Sequence, residues 1–259
     1  MPPFHVDSTD PRPHCDFVTE QTNAEPLPDG WSEKGADSLR MVHLGFVPAS
    51  YVPARHLAGP AFVGLGLSLA CLLTLDAPGW ELVLVPVLLV AANAFEWRAH
   101  RDVLHKRVKG RARRLYEDHT ALHHRLYWSR SMAIRDSREL LFVLIPASAM
   151  QSMFLLNAAI GLVLAFAVNG NVARLFFATM VLYLLSYEWL HLAYHLPKAH
   201  PIARLPLIRF LGRHHSVHHD PRIMRSLNLN VTVPLWDWIQ GTIASKGVQA
   251  RALEPESPD

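Results

Sequence analysis

Eleven of the sixteen histidines fall into four tight clusters: His100-Arg-Asp-Val-Leu-His105, His119-Thr-Ala-Leu-His123-His124, His191-Leu-Ala-Tyr-His195 and His214-His215-Ser-Val-His218-His219. Neutral imidazole is the commonest protein ligand for iron, zinc and copper, and one ion takes about three to five such ligands. The inventory therefore suffices for two ions. On an α-helix, positions i and i+4 sit about 40° apart, one turn above each other. His191 with His195, and His119 with His123, have this spacing, so each pair is expected to grip one ion. His215, His218 and His219 combine i+3 with i+4 and form a three-histidine face. On an ideal helix His124 points away from the His119/His123 line, and His105 away from His100. Such divergence lets one segment feed two metals and implies two centres a few ångströms apart.

The remaining histidines carry weaker signals. His214 breaks the H-x-x-H-H frame and His200 stands beside Pro201, so both stay ambiguous. His5, His14, His43 and His56 are isolated and read as non-ligands. Carboxylates are scarce: the Glu and Glu-x-x-His motifs of soluble helical di-iron proteins do not appear. Glu96, Glu117, Asp118, Glu188, Asp220 and Asp237 lie near the clusters and read as acceptors for the outer N–H of ligand imidazoles. Asp220, directly after His219, is the foremost of these.

The elements that must position these residues are apolar. Half of the 259 residues are hydrophobic, and mean hydropathy is +0.12. Apolar stretches of spanning or near-spanning length occupy 57–75, about 79–97, about 140–168 and about 172–190. Turn signals at Asp76-Ala77-Pro78-Gly79 and Asn169-Gly170-Asn171 divide them into two hairpins. The stretch 140–168 carries no charge, which disfavours buried helices of a soluble protein. It exceeds one straight crossing, so a tilt, a bend near Pro146 or an interfacial piece is expected. The fold class is thus all-α integral membrane, with about four transmembrane helices in two hairpins and a cytoplasmic, histidine-rich metal-binding cap.

Charge supplies the orientation. Residues 98–138 hold twelve Lys or Arg against four Asp or Glu, and 191–259 hold eight against five. The positive-inside rule places this loop and both termini in the cytoplasm. Every histidine cluster then lies on one side. The basic balance is accounted for by membrane orientation and lipid contact, and nothing else points to nucleic acid. Trp97, Tyr127, Trp128 and Trp189 read as membrane-belt residues. Cys15 in the polar start and Cys71 in a span make a disulfide or thiolate site improbable. Residues 1–38 read as a disordered tail without a cleaved signal, 39–57 as an interfacial lead-in, 58–243 as the membrane domain and 244–259 as a flexible tail.

The order H-x4-H, H-x3-H-H, H-x3-H, H-x2-H-H around two hydrophobic hairpins resembles the integral-membrane fatty acid hydroxylase/sterol desaturase superfamily. The closing Asn230-Val-Thr-Val-Pro234-Leu-Trp236-Asp237-Trp-Ile-Gln-Gly241-Thr242 is similar to that family's Asn…Trp-Asp…Gly-Thr stretch. The resemblance covers roughly 58–243. It implies an oxygen-dependent enzyme that uses two iron ions to hydroxylate an unactivated C–H bond of a lipid. Its ligands would be His100, His105, His119, His123, His124, His191, His195, His215, His218 and His219, with Asp220, Glu188, Asp237 and Asn230 in support. Zinc could occupy the same sites in isolated protein.

A His-Pro-Gly-Gly haem-binding motif, carried by some relatives with a fused cytochrome b5 domain, is missing. An external donor of ferredoxin or cytochrome b5 type is therefore expected, docking on the basic face. Arg outnumbers Lys twenty to five, which suggests a GC-rich genome and a bacterial inner membrane. Fatty acyl chains or acyl lipids are favoured over sterols. The alternatives are a lipid or sterol desaturase or C-4 oxidase on the same fold, and a non-catalytic zinc-binding membrane protein. A metal transporter would string polar ligands through the spans, which contain almost none.

Overall fold

Lipid offers backbone N–H and C=O groups no partners, so a crossing segment must satisfy them within a helix. A computed structural model describes residues 31–107, 109–110, 113–128 and 132–253, and among these every regular element is helical. Helix α1 (Glu33–Gly45) precedes a hairpin of α2 (Pro53–Leu73) and α3 (Leu84–Ala99). A 3-10 turn before α3 and a π-helical turn, His100–Leu104, after it make one continuous apolar rod, Trp80–Leu104. Short pieces follow: α4 (Arg113–Tyr116), a second π segment (Glu117–His123), α5 (His124–Leu126) and α6 (Leu140–Val143). The second hairpin is α7 (Ala147–Ala167) and α8 (Gly170–Tyr194). Helices α9 (Pro206–His218), α10 (Leu235–Gln240) and α11 (Lys246–Ala252) end the described chain. Pro53–Leu73, Trp80–Leu104, Ala147–Ala167 and Gly170–Tyr194 are each long and apolar enough to cross a bilayer.

The expected hairpins are present, and their tips are tied together. Asn171 accepts from the Asp76 backbone N–H at 3.0 Å and donates to its carbonyl at 2.8 Å. Asn169 caps α8 through the Val172 N–H and donates to Glu81. The long stretch 140–168 divides at Pro146, where Leu144 is extended and α7 begins. Proline lacks an N–H and disfavours helix in the preceding residue. The freed Ile145 N–H would be orphaned beside lipid. Both Glu188 carboxylate oxygens accept it, at 3.0 and 3.1 Å.

Helix α8 is central, with α2, α3 and α7 packed on it. Between helices in lipid the attraction is close van der Waals contact, which small residues permit. Gly64 and Ser68, one turn apart on α2, provide it. A methyl group added at Gly64 would sit 2.9 Å from Phe154, 3.0 Å from Leu185 and 3.1 Å from Val181. Gly66, on another face, meets nothing within 4 Å.

Three sequence expectations are corrected. The stretch 1–38 was expected to be disordered, yet α1 starts at Glu33 with Ser32 as its N-cap, so order begins inside that range. Residues 1–30, with His5, His14 and Cys15, lie outside the described residues. The expected interfacial lead-in, 39–57, ends early because spanning α2 begins at Pro53, and within it Arg40 is buried and reaches the Leu126 carbonyl and Glu139. Within 244–259, α11 buries Val248 and Ala252 against Val217, Ile223 and Leu227. Short polar-flanked helices like these carry little apolar periodicity, which is why they read as tails.

Overpacking a well-filled contact costs on the order of 1–3 kcal/mol. Gly64→Val is expected to lower the thermal unfolding midpoint in detergent, while Gly66→Val leaves it near that of the parent. Equal midpoints for the two variants would refute the close approach of α2 to α7 and α8.

Candidate metal centre

The four histidine clusters converge at one end of the bundle into two groups of five. His100, His105, His119, His124 and His218 form one; His123, His191, His195, His215 and His219 form the other. Within each group, one nitrogen from every ring lies within 4.8 Å of the rest. Nine of the ten side chains are buried, and His119 is half-buried. The groups share a wall: the His124 and His219 rings stack at 4.1 Å, 16° from parallel. His214 and His200 join neither. His214 Nε2 contacts Asp237 at 3.1 Å, and exposed His200 accepts from the Ile202 N–H.

The division differs from the ideal-helix expectation. His119 and His123 part company, and so do His218 and its neighbours His215 and His219. The π segments explain the first change. Their i→i+5 hydrogen bonds, His105 N–H to His100 C=O and His124 N–H to His119 C=O, widen the turn. Residues five apart then share a face, so His100 meets His105 and His119 meets His124. In α9 the ideal helix holds, and His215 and His219 remain a pair at i+4.

Ring orientation follows from hydrogen bonds at the outer nitrogen. His100 Nδ1 faces the Leu229 carbonyl, His123 Nδ1 that of Phe142 at 2.9 Å, His195 Nδ1 that of Met132 at 2.7 Å and His218 Nδ1 that of Leu227 at 3.0 Å. His219 Nδ1 bonds the Tyr127 carbonyl. Thr120 donates to the Leu104 carbonyl, so its oxygen accepts from His105 Nδ1. A carbonyl only accepts, so in these rings Nδ1 carries the proton and Nε2 presents a lone pair.

Nε2 atoms face one another, and in the His105–His218 and His100–His218 pairs both carry lone pairs. The Nε2–Nε2 separations are 2.9 Å for His100–His119, 3.0 Å for His105–His218, 3.1 Å for His100–His218 and 3.2 Å for His119–His124. In the second group they are 3.2 Å for His123–His191 and 2.8 Å for His215–His219. His195 Nε2 is buried with no partner at all. Burial, and then neighbouring imidazoles, hold the pKa of His105, His119, His123, His124, His215, His218 and His219 well below the ordinary value. Burial brings His195 to about 4. Neutral lone pairs aimed at each other repel unless a cation lies between them.

A metal cation fits. With metal–nitrogen bonds of about 2.1 Å, right-angled ligands stand roughly 3.0 Å apart and tetrahedral ones roughly 3.4 Å. The observed 2.8–3.2 Å matches the right-angled arrangement. Five nitrogens per group also exceed the four of a closed structural zinc site.

The carboxylates work one step further out than expected. Asp220 binds Arg222, not a histidine, because it folds back over the turn that ends α9. Asp237 accepts from the backbone N–H of Leu229 and Asn230, from Thr242 and from His214. Burial alone would raise the Asp237 pKa, and the bonds from His214, Thr242 and Asn230 outweigh it and lower it. Asn230 accepts from the Asp237 N–H and donates to the Asn93 carbonyl. Glu188 fixes Ile145, two residues beyond Val143, whose backbone is a partner of His191. Glu117 and Asp118 form exposed pairs with Arg113 and Arg114. Asp237 and Glu188 thus each hold a backbone segment, and carbonyls of those segments, Leu229 and Val143, hold imidazoles.

Glu96, expected to face an imidazole, holds backbone instead, and Asn93, Glu139 and Arg40 are positioning residues that escaped the sequence. Glu96 accepts from the Val231 and Thr232 N–H groups, the Thr232 hydroxyl and the Tyr183 hydroxyl, and Asn93 from the Trp236 N–H. Two polar residues at i, i+3 in an apolar span are the signal that could have found Asn93. Buried Glu139 accepts from Tyr127 and from the Arg135 and Asp136 N–H groups, and pairs with Arg40. Trp97 near the end of α3, and Tyr127 and Trp128 beyond α5, all expected in the membrane belt, are buried; Trp189 alone of the four is exposed.

The sequence matches the fatty acid hydroxylase family over residues 85–242. A solved structure of full-length Scs7p, in which only the hydroxylase domain is visible, superposes with a TM-score of 0.50 at 16% identity. The match covers 80% of this chain and 70% of that one, and at this identity it shows a shared fold. No curated protein matches in sequence.

If the groups bind separately, His119→Ala and His123→Ala, one turn apart, weaken different ions. Each variant is expected to retain one tightly held ion of about two, with the other weakened by at least roughly 10-fold. Elemental analysis after equilibration with Fe(II), followed by competition with a chelator, measures this. Weakening of the same single ion by both changes would contradict the division.

Proposed function

This chain belongs to the fatty acid hydroxylase family, and from that premise we propose that it hydroxylates a C–H bond in the acyl chain of a membrane lipid. The observation that carries the reading is the pair of five-histidine groups with converging lone pairs at the end of four apolar helices. We assign one iron ion to each group, with all ten histidines as ligands. Two bound ferrous ions would supply the electrons-and-oxygen chemistry: one oxygen atom of O2 enters the C–H bond, and the other leaves as water with two electrons and two protons from outside.

The protein's own residues prepare the site. Carbonyls of Leu229, Phe142, Met132, Leu227 and Tyr127 lock the imidazole tautomers, so neutral nitrogen meets the metal without a deprotonation step. An all-imidazole donor set adds no negative charge, so each site keeps the full charge of its cation. The buried walls around nine of the ten rings exclude bulk water. Half-buried His119 marks the side with access.

The reading includes a cytoplasmic cap, as the basic residues of 98–138 favour, and a bacterial inner membrane. Electrons would come from a separate carrier of ferredoxin or cytochrome b5 type, attracted to that basic face. Fatty acyl chains are favoured because the sites lie at the ends of lipid-facing spans.

The test compares lipids from host membranes carrying the parent protein with those carrying His218→Ala, by mass spectrometry, with a reductase and carrier co-expressed. Lipids gaining one oxygen with the parent alone are the expected result. Loss of two hydrogens instead would make the protein a desaturase, and identical lipid profiles would overturn the assignment of turnover.

A further inference from the structure

A cavity of about 270 Å³ opens between the end of the Trp80–Leu104 rod and α10, lined by Ala94, Trp97, Arg98, Arg101, Trp236 and Gln240. It lies outside both histidine groups. We propose that this cavity binds the phosphodiester headgroup of an anionic membrane phospholipid.

Charge is the first observation. Three cations gather on one carboxylate: Arg98 Nε lies 2.6 Å from Asp102, Lys106 Nζ 2.6 Å, and Arg101 forks onto both oxygens at 3.1 and 3.0 Å. One acid cannot neutralise three bases, so the rim stays positive. Each guanidinium has five donors, and Asp102 engages only part of them. Planar forks of this kind match phosphate oxygens.

Construction is the second. Arg101 lies over the Trp97 ring at 4.3 Å, and Trp97 is itself buried and anchored by its Nε1–H to the Thr242 hydroxyl. The guanidinium is thereby held in place on a fixed wall rather than waving in solvent. Gln240 adds an amide donor at the opposite rim.

Depth is the third. Trp238 and Ile239 of α10 are 72% and 47% exposed, although large apolar side chains on a water-facing helix would be buried. Beside four spanning helices, that face reads as resting in lipid at the headgroup level, where indole rings concentrate. The cavity mouth then sits where a phospholipid phosphate sits. Its volume holds a phosphate and glycerol, while the acyl chains would continue along the apolar surface of α3. Anionic lipid is favoured over zwitterionic lipid because the rim carries surplus positive charge.

The test uses the full chain in nanodiscs mixing dioleoylphosphatidylglycerol and dioleoylphosphatidylcholine, and native mass spectrometry counts the lipid retained on release. The parent is expected to retain phosphatidylglycerol selectively. Arg98→Gln with Arg101→Gln should reduce retention by about tenfold, and Gln240→Ala, at an exposed position that cannot unfold the chain, by a smaller factor. The basic pair Arg113→Gln with Arg114→Gln, which does not line the cavity, should leave retention unchanged. Equal losses in both arginine pairs would show general attraction of charge and overturn the site. Equal retention of phosphatidylcholine would overturn the anionic preference. Displacement of the lipid by millimolar inorganic phosphate would overturn the lipid assignment in favour of a free phosphate ligand.

Discussion

Buried imidazole lone pairs aimed at one another are the constraint on which the cap depends. Each group holds at least one such opposed pair, His100 with His218 and His123 with His191, and burial disfavours the protons that could fill the gap. The fold must therefore hold the rings in place by force supplied elsewhere. That force is hierarchical. Spanning helices carry buried polar groups, such as Asn93, Glu96 and Glu188, that would be costly in lipid if left without partners. These capture the backbone of Val231, Thr232, Trp236 and Ile145, and Asp237 captures that of Leu229 and Asn230. The carbonyls of the captured segments orient the imidazoles. A buried carboxylate that removed a histidine proton directly would add negative charge at the metal; placed one segment away, it supplies rigidity without that charge.

The same layout explains why distant parts of the chain are joined. Arg40 in α1 reaches the Leu126 carbonyl and Glu139, and Glu139 holds Tyr127, whose carbonyl orients His219. The first described helix thus buttresses the second histidine group from outside the membrane-spanning part. An isolated buried guanidinium would be unfavourable, and a buried carboxylate equally so; together they are retained, and breaking either side leaves the other charge stranded.

Much of this was readable in the sequence, and the remainder failed for definite reasons. The four spans, the two hairpins and the break at Pro146 came from uninterrupted apolar runs and proline chemistry. The ten histidines drawn together are the ten that spacing and family resemblance singled out, and His200 and His214 stand apart from them. Their division into fives was not readable, because it depends on π-helical turns at His100–Leu104 and Glu117–His123 that no residue pattern announces. Ideal-helix geometry paired His119 with His123, which the widened turn separates. The role of Asp220 was misread because adjacency in sequence to His219 did not translate into contact. The ordered parts of both termini were missed because α1 and α11 dock through a few residues each, too few to leave a periodic signal.

The central claim, that each group of five histidines encloses one metal ion, is tested most directly by X-ray absorption at the iron edge of the iron-loaded protein. The account predicts a first shell of about five nitrogens per iron at roughly 2.1 Å, with the multiple-scattering pattern of imidazole rings. A shell dominated by oxygen, or iron with fewer than three imidazoles, would contradict it.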